Sequence, residues 1–103
     1  MSEIIKFTKD NIKKIFQEKE KYKGWNLINI CQYFNDEKTS FLISNIEMDL
    51  FIEEKNTLYF NYFYKNKKQR DSIYLDKKFT ILKIDDFYLT NIDEDEFNIL
   101  FKI

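Results

Sequence analysis

The chain contains no histidine, no proline, no alanine and no valine, and only one glycine, one cysteine and one arginine. Without histidine there is no Ser–His or Cys–His nucleophile pair and no imidazole metal ligand. The lone Cys31 can form neither an internal disulfide nor a thiolate zinc site. It suits a reducing compartment, where cysteine behaves as a small hydrophobe. The single glycine, Gly24, leaves no phosphate-cradling glycine loop of either common kind. No stretch approaches the roughly 20 apolar residues of a membrane-spanning helix. The opening residues Met1-Ser2-Glu3-Ile4-Ile5-Lys6 lack the charged-then-apolar pattern of a secretion signal, so the cytoplasm is the expected location and no membrane partner is expected. These absences remove most hydrolases, kinases and dinucleotide enzymes. The expectation is a protein that is not an enzyme and carries no cofactor and no metal.

What is abundant is Ile, Lys, Asn, Phe and Tyr. These are the residues of AT-rich codons, and the missing ones mostly use GC-rich codons, which indicates an AT-rich genome such as that of a low-GC bacterium or its phage. Apolar residues make up 44% of the 103 positions and aromatic residues 18%, so bulky rings are expected to supply most of the core. With 34% charged residues and a net charge of −1, the composition is that of a folded chain with a well-solvated surface, not a disordered one. The length fits a single domain over 1–103 that buries roughly two-thirds of its unfolded surface.

The periodicity predicts one helix over 9–22. Thr8 can cap it, Ile12, Ile15, Phe16 and Tyr22 recur on one face, and Gly24 stands where a left-handed stop is expected. From Trp25 onward the texture changes to short runs of β-branched and aromatic residues separated by Asn, Asp and Lys. These predict strands near 25–34, 39–45, 48–54, 57–65, 71–76, 79–84 and 87–92. Residues 3–7 can add an edge strand. The expected breaks are Asn35-Asp36-Glu37-Lys38, Glu54-Lys55-Asn56, Asn66-Lys67-Lys68-Gln69 and Asp85-Asp86. Breaks this short permit hairpins and forbid crossovers. The expected fold is therefore α+β: one N-terminal amphipathic helix packed on a mainly antiparallel, strongly twisted sheet of about six to eight strands. The segment 97–103 reads as a strand by the alternation of Phe97, Ile99, Phe101 and Ile103. A short helix is the alternative, because Asp93 and Glu96 form a capping box and Ile92 and Phe97 its hydrophobic staple.

Three groups of residues can carry chemistry or recognition. Acid-x-Lys, the strand signature of a carboxylate-only metal nuclease, occurs at Asp36/Lys38, Glu53/Lys55 and Asp76/Lys78. About three such pairs are expected by chance from 18 acidic residues and 16 lysines, and all three fall at predicted turns. The run Asp93-Glu94-Asp95-Glu96 lacks both the spacing and the glycine of a calcium loop and reads as a helix start or turn. The aromatic–basic stretch 59–70 is the second group. Tyr59, Tyr62 and Tyr64 with Lys65, Lys67, Lys68 and Arg70 can stack bases and hold phosphates, or can present an aromatic protein-binding surface. The third group is acidic: Asp85, Asp86 and Asp93, Glu94, Asp95 and Glu96 can present negative charge to a basic groove. Trp25 reads as a plug between helix and sheet, and Cys31 as a buried, inert thiol.

The expectation from these residues is a small non-catalytic protein-binding protein. The candidate roles are inhibition of a host-defence nuclease, in the manner of an anti-CRISPR protein, and neutralisation of a toxin, in the manner of an immunity protein. The alternative is a single-stranded nucleic-acid or nucleotide-binding module using the 59–70 hairpin. A metal-dependent nuclease comes third. A homodimer is compatible with all of these.

Overall fold

The computed structural model describes residues 2–33, 37–43, 47–74 and 83–103. Among them run seven strands and two helices: β1 (Ile4–Lys6), α1 (Lys9–Gln17), β2 (Asn26–Tyr33), β3 (Lys38–Ile43), β4 (Glu47–Glu54), β5 (Thr57–Tyr64), β6 (Lys67–Tyr74), β7 (Lys83–Thr90) and α2 (Glu94–Phe101). The α+β class and the antiparallel pairing expected from the sequence are both present. The single twisted sheet is not. The strands divide into a four-stranded sheet in the order β1-β7-β2-β3 and a three-stranded sheet in the order β4-β5-β6. Consecutive strands were expected to pair as hairpins, but β3 pairs only with β2 and β4 only with β5. The chain changes sheets between them. Two facing layers bury aromatic side chains that one sheet with one helix would leave wet.

The core lies between the sheets. Leu27, Phe87 and Leu89 from the four-stranded sheet meet Leu58, Phe60 and Tyr62 from the three-stranded one, joined by Phe7 and by Ile12 and Ile15 of α1. Phe60 packs edge-on against Phe7 at 4.9 Å and against Phe87 at 5.2 Å, the favoured aromatic geometry. The helix α1 starts where expected: the Thr8 side chain accepts the Asn11 amide at 3.2 Å. Its regular part stops at Gln17 rather than Tyr22. The chain then descends through turns in which the Tyr22 amide bonds the Lys19 carbonyl and the Trp25 amide the Tyr22 carbonyl. Gly24 takes the expected left-handed conformation at φ 82°. Trp25 lies edge-on to Tyr22 at 4.8 Å and packs on the core, as a plug.

The second helix sits on the opposite face of the four-stranded sheet. Ile28 and Ile30 of β2, together with Tyr88 of β7, form a second apolar cluster with Ile92, Phe97 and Phe101. This settles the C-terminal segment as helix. Asp93 caps it by accepting the Glu96 amide at 2.8 Å, and Ile92 and Phe97 are buried together as a staple. The alternation that favoured a strand fails because Ile99 is 78% exposed, whereas Phe97 and Phe101, one helical turn apart, stack at 4.3 Å.

Two further expectations are corrected. The segment Asn66–Gln69 is not a break: the turn is Lys65-Asn66 alone, at φ 51° and 62°, and Lys67 already belongs to β6. A strand reading Lys-Lys-Gln-Arg-Asp-Ser has the composition of a turn, but at the edge of a sheet charge is the rule. Asp85-Asp86 is not a break either, but the middle of β7. Its two carboxylates point to opposite faces, and each finds a partner: Asp85 accepts from Cys31 at 2.7 Å, and Asp86 pairs with Lys6 at 3.6 Å. The expected strand 79–84 lies outside the described residues except at 83–84, as do the ends of 39–45 and 71–76, Phe34 of 25–34, and Asn35, Asp36, Asp76 and Lys78. Among the described residues no helix is long and apolar enough to cross a membrane.

Candidate interaction surface

Alternation along a strand sends neighbouring residues to opposite faces. In β5 this places Leu58, Phe60, Tyr62 and Tyr64 toward the core and Tyr59, Asn61 and Phe63 outward. The outward row is flanked by Ile52 of β4, paired with Tyr59, and by Arg70 and Lys68 of β6, paired with Asn61 and Phe63. Both helices pack elsewhere: α2 on the other sheet, α1 within the core and against β4. The outer face of β4-β5-β6 therefore stands uncovered among the described elements. Ile52 is 42% and Phe63 38% exposed.

The polar groups on this face hold its shape. Arg70 lies over the Tyr59 ring at 5.6 Å and donates through Nε to Oδ1 of the buried Asn61 at 3.2 Å. Lys68 reaches Asp49 at 3.1 Å, across the strand that carries Phe63. The face is apolar and aromatic at its centre and graded in charge: Glu47, Asp49 and Glu54 lie along β4, Lys68 and Arg70 along β6.

The sequence-derived candidates divide on this frame. Tyr59, Lys68 and Arg70 come together on the open face. Tyr62 does not: it is buried on the core side, and its hydroxyl donates to Asp71 at 2.7 Å. Burial foremost, and then that hydrogen bond and the Asp71 charge, hold the phenol well above its ordinary range. Tyr64 also faces inward, half-buried, with Lys65 at 5.2 Å over its ring. Lys67 pairs with Tyr64 and so lies on the opposite side of β6 from Lys68 and Arg70. The four cations thus form no continuous phosphate track. Asp93 serves as the α2 cap, and Glu94, Asp95 and Glu96 fill its first turn, where the helix dipole favours negative charge. Asp85 and Asp86 lie on β7 and point to opposite faces of its sheet, so the acidic residues form no single face. Phe63 and Ile52 were absent from the candidate list. Phe63 shared the outward row with Tyr59 in the alternation, but Ile52 becomes visible only once β4 and β5 are paired in register.

A second feature lies where the inner faces turn from apolar to polar. A cleft of 470 Å³ is lined by Asn29, Asp85 and Phe87 from the inner side of the four-stranded sheet and by Asp71 from the inner side of β6. Tyr59, Arg70 and Ser72 of the outward row also line it, so it reaches round the β6 edge to one end of the open face. Cys31, 3% exposed, donates to Asp85 there. Burial raises the Asp71 carboxyl above its usual range and the charge of Asp85 adds to this, while the Tyr62 hydrogen bond opposes it. Every side chain of this cleft that is buried and polar has a partner within the protein. Among the described residues no group of three or more His, Cys, Asp or Glu side chains is arranged to hold a metal ion. Comparison with known proteins adds nothing to the geometry: no family model, no curated protein and no solved structure matches the chain.

Proposed function

We propose that the protein is a non-catalytic protein-binding domain that engages its partner through the outer face of β4-β5-β6. The observation that carries this reading is the uncovered sheet face itself, on which Phe63 and Ile52 stand exposed beside an Arg70–Tyr59 stack. Aromatic and arginine side chains dominate the energetics of protein interfaces, and this face has them pre-ordered by neighbours, so little side-chain freedom is lost on binding. The partner that fits has an apolar protrusion flanked by cations on the side that meets Glu47 and Glu54 and by carboxylates on the side that meets Lys68 and Arg70.

Within that class, the role proposed is inhibitory, silencing a defence nuclease or neutralising a toxin. Small size and the AT-rich composition motivate this finer reading. Nucleic-acid binding is less well supported, because Lys68 is engaged by Asp49 and Lys67 faces away from Arg70.

The test is comparative capture. The wild-type chain and the Phe63→Asp and Ile52→Asp variants serve as baits in lysate of the source cell, with Phe41→Asp as a control at an exposed site on the other sheet. A protein retained by the wild type and the control and lost from both face variants supports the reading. Retention unchanged by Phe63→Asp, or no retained protein at all, counts against it.

A further inference from the structure

The outer side of α2 is a second apolar surface, and its charge order points to its occupant. Phe97 and Phe101 fix the inward side of the helix on Tyr88. At 100° per residue Ile99 then lies diametrically opposite. Ile99, Leu100 and Ile103 are 78%, 58% and 39% exposed. On one flank of Ile99 this side begins with exposed Asp95 and ends with exposed Lys102, while exposed Glu96 lies on the other flank. Lys102 is fixed there by the helix stop. It adopts the left-handed conformation at φ 55°, its amide bonds the Ile99 carbonyl at 3.3 Å, and the Ile103 amide bonds the Asn98 carbonyl at 2.9 Å. Along its axis the exposed side therefore reads acidic, apolar, basic.

That order is complementary to its own reverse. A two-fold axis between Asn98 and Ile99 sets Asp95 and Lys102 at equal distances on either side and keeps both on one flank of the seam, so each copy's Asp95 meets the other's Lys102. A parallel arrangement would put like on like. We infer that α2 mediates an isologous homodimer, an antiparallel helix pair centred on Ile99 and closed by two Asp95–Lys102 ion pairs. The antiparallel helix dipoles favour the same orientation. An eight-residue helix is about 12 Å long. The contact is smaller than the 1,200–2,000 Å² typical of a stable complex. The dimer is accordingly weak and reversible, with a dissociation constant on the order of 0.1 mM.

Sedimentation velocity of the full chain at concentrations up to on the order of 1 mM tests this. The wild type should pass from monomer to dimer over that range. Ile99→Asp should raise the dissociation constant at least about tenfold. Lys102→Asp and Asp95→Lys should each weaken the dimer, and the two together should restore it to within about threefold of the wild type. Phe63→Asp should leave it unchanged, which separates this inference from the partner-binding face. Circular dichroism and thermal melting confirm that each variant is folded. A wild type that stays monomeric throughout overturns the inference. So does a dimer that survives Ile99→Asp, or a charge swap no better than its single changes.

Discussion

The scarcity of glycine has a stability consequence that can be measured at the β5–β6 turn. Five described residues have positive φ, and only Gly24 among them is glycine; the others are Lys55, Lys65, Asn66 and Lys102. The left-handed region costs a residue with a Cβ roughly 1 kcal/mol or more, least for asparagine. The two-residue turn Lys65-Asn66 has both positions left-handed, the geometry for which Asn-Gly is the preferred pair. The double change Lys65→Asn with Asn66→Gly relieves most of that cost. Part of the gain is returned, because glycine also loosens the unfolded chain by about 0.5–1 kcal/mol. The net expectation is a stabilisation of about 1 kcal/mol, or a rise in Tm of roughly 4–8 °C for a chain of this size. Gly24→Ala supplies the opposite arm. An added Cβ there would meet nothing within 4 Å, so any loss comes from the dihedral alone and should be about 1 kcal/mol. Urea titration and calorimetry read both. A double variant no more stable than wild type, or a Gly24→Ala protein that is unchanged, would refute the reasoning.

Other consequences follow from the cleft and from α2. Because burial and Asp85 raise the folded carboxyl of Asp71, its contribution to stability is present at low pH and lost as pH rises through that raised value. Asp71→Asn keeps an acceptor for the Tyr62 hydroxyl. It should therefore be more stable than wild type near pH 7, with the difference vanishing below about pH 4, where carboxyls are protonated even in the unfolded chain; urea midpoints at the two pH values check this, and an equal loss at both would contradict it. Phe97, the α2 residue fully buried against the four-stranded sheet, should cost about 3–5 kcal/mol when changed to Ala, and Asp93→Ala about 1 kcal/mol through the lost cap. Thermal unfolding measures both, and a Phe97→Ala loss below about 1 kcal/mol would mean that α2 is not docked on the sheet.

The local signals in the sequence were reliable where one physical cause acted alone. Thr8 began a helix because a capping oxygen followed by apolar spacing has no competing use; Gly24 is left-handed as expected, at φ 82°, but it does not stop α1, which ends at Gln17. Charge was the misleading signal. Asp85-Asp86 and Lys67-Lys68 read as breaks because isolated carboxylates and ammoniums avoid sheets. Their partners, Cys31, Lys6 and Asp49, are distant in sequence and appear only after the strands pair. The C-terminal segment turned on the same kind of information. Phe97, Ile99, Phe101 and Ile103 satisfy both periods, and the apolar back of β2, formed by Ile28 and Ile30, decided between them.

The candidate surface was half legible for the same reason. Alternation along β5 separated Tyr59 and Phe63 from Tyr62, but it could not say which row was covered. That depended on the second sheet, which put Phe60 and Tyr62 against Phe87 and left Phe63 outside. Arg70 stood in the candidate list as a cation for phosphate. The pairing of β5 with β6 makes it a planar lid on Tyr59.

Brief hydroxyl-radical oxidation of the chain, free and with the protein it retains from lysate, measures the exposure of Phe63 and Tyr59 directly. Binding through the outer face of β4-β5-β6 predicts that oxidation of both falls severalfold on complex formation, while exposed Phe41 on the other sheet keeps its rate. Phe63 oxidising equally fast in the free and bound states would contradict the central claim.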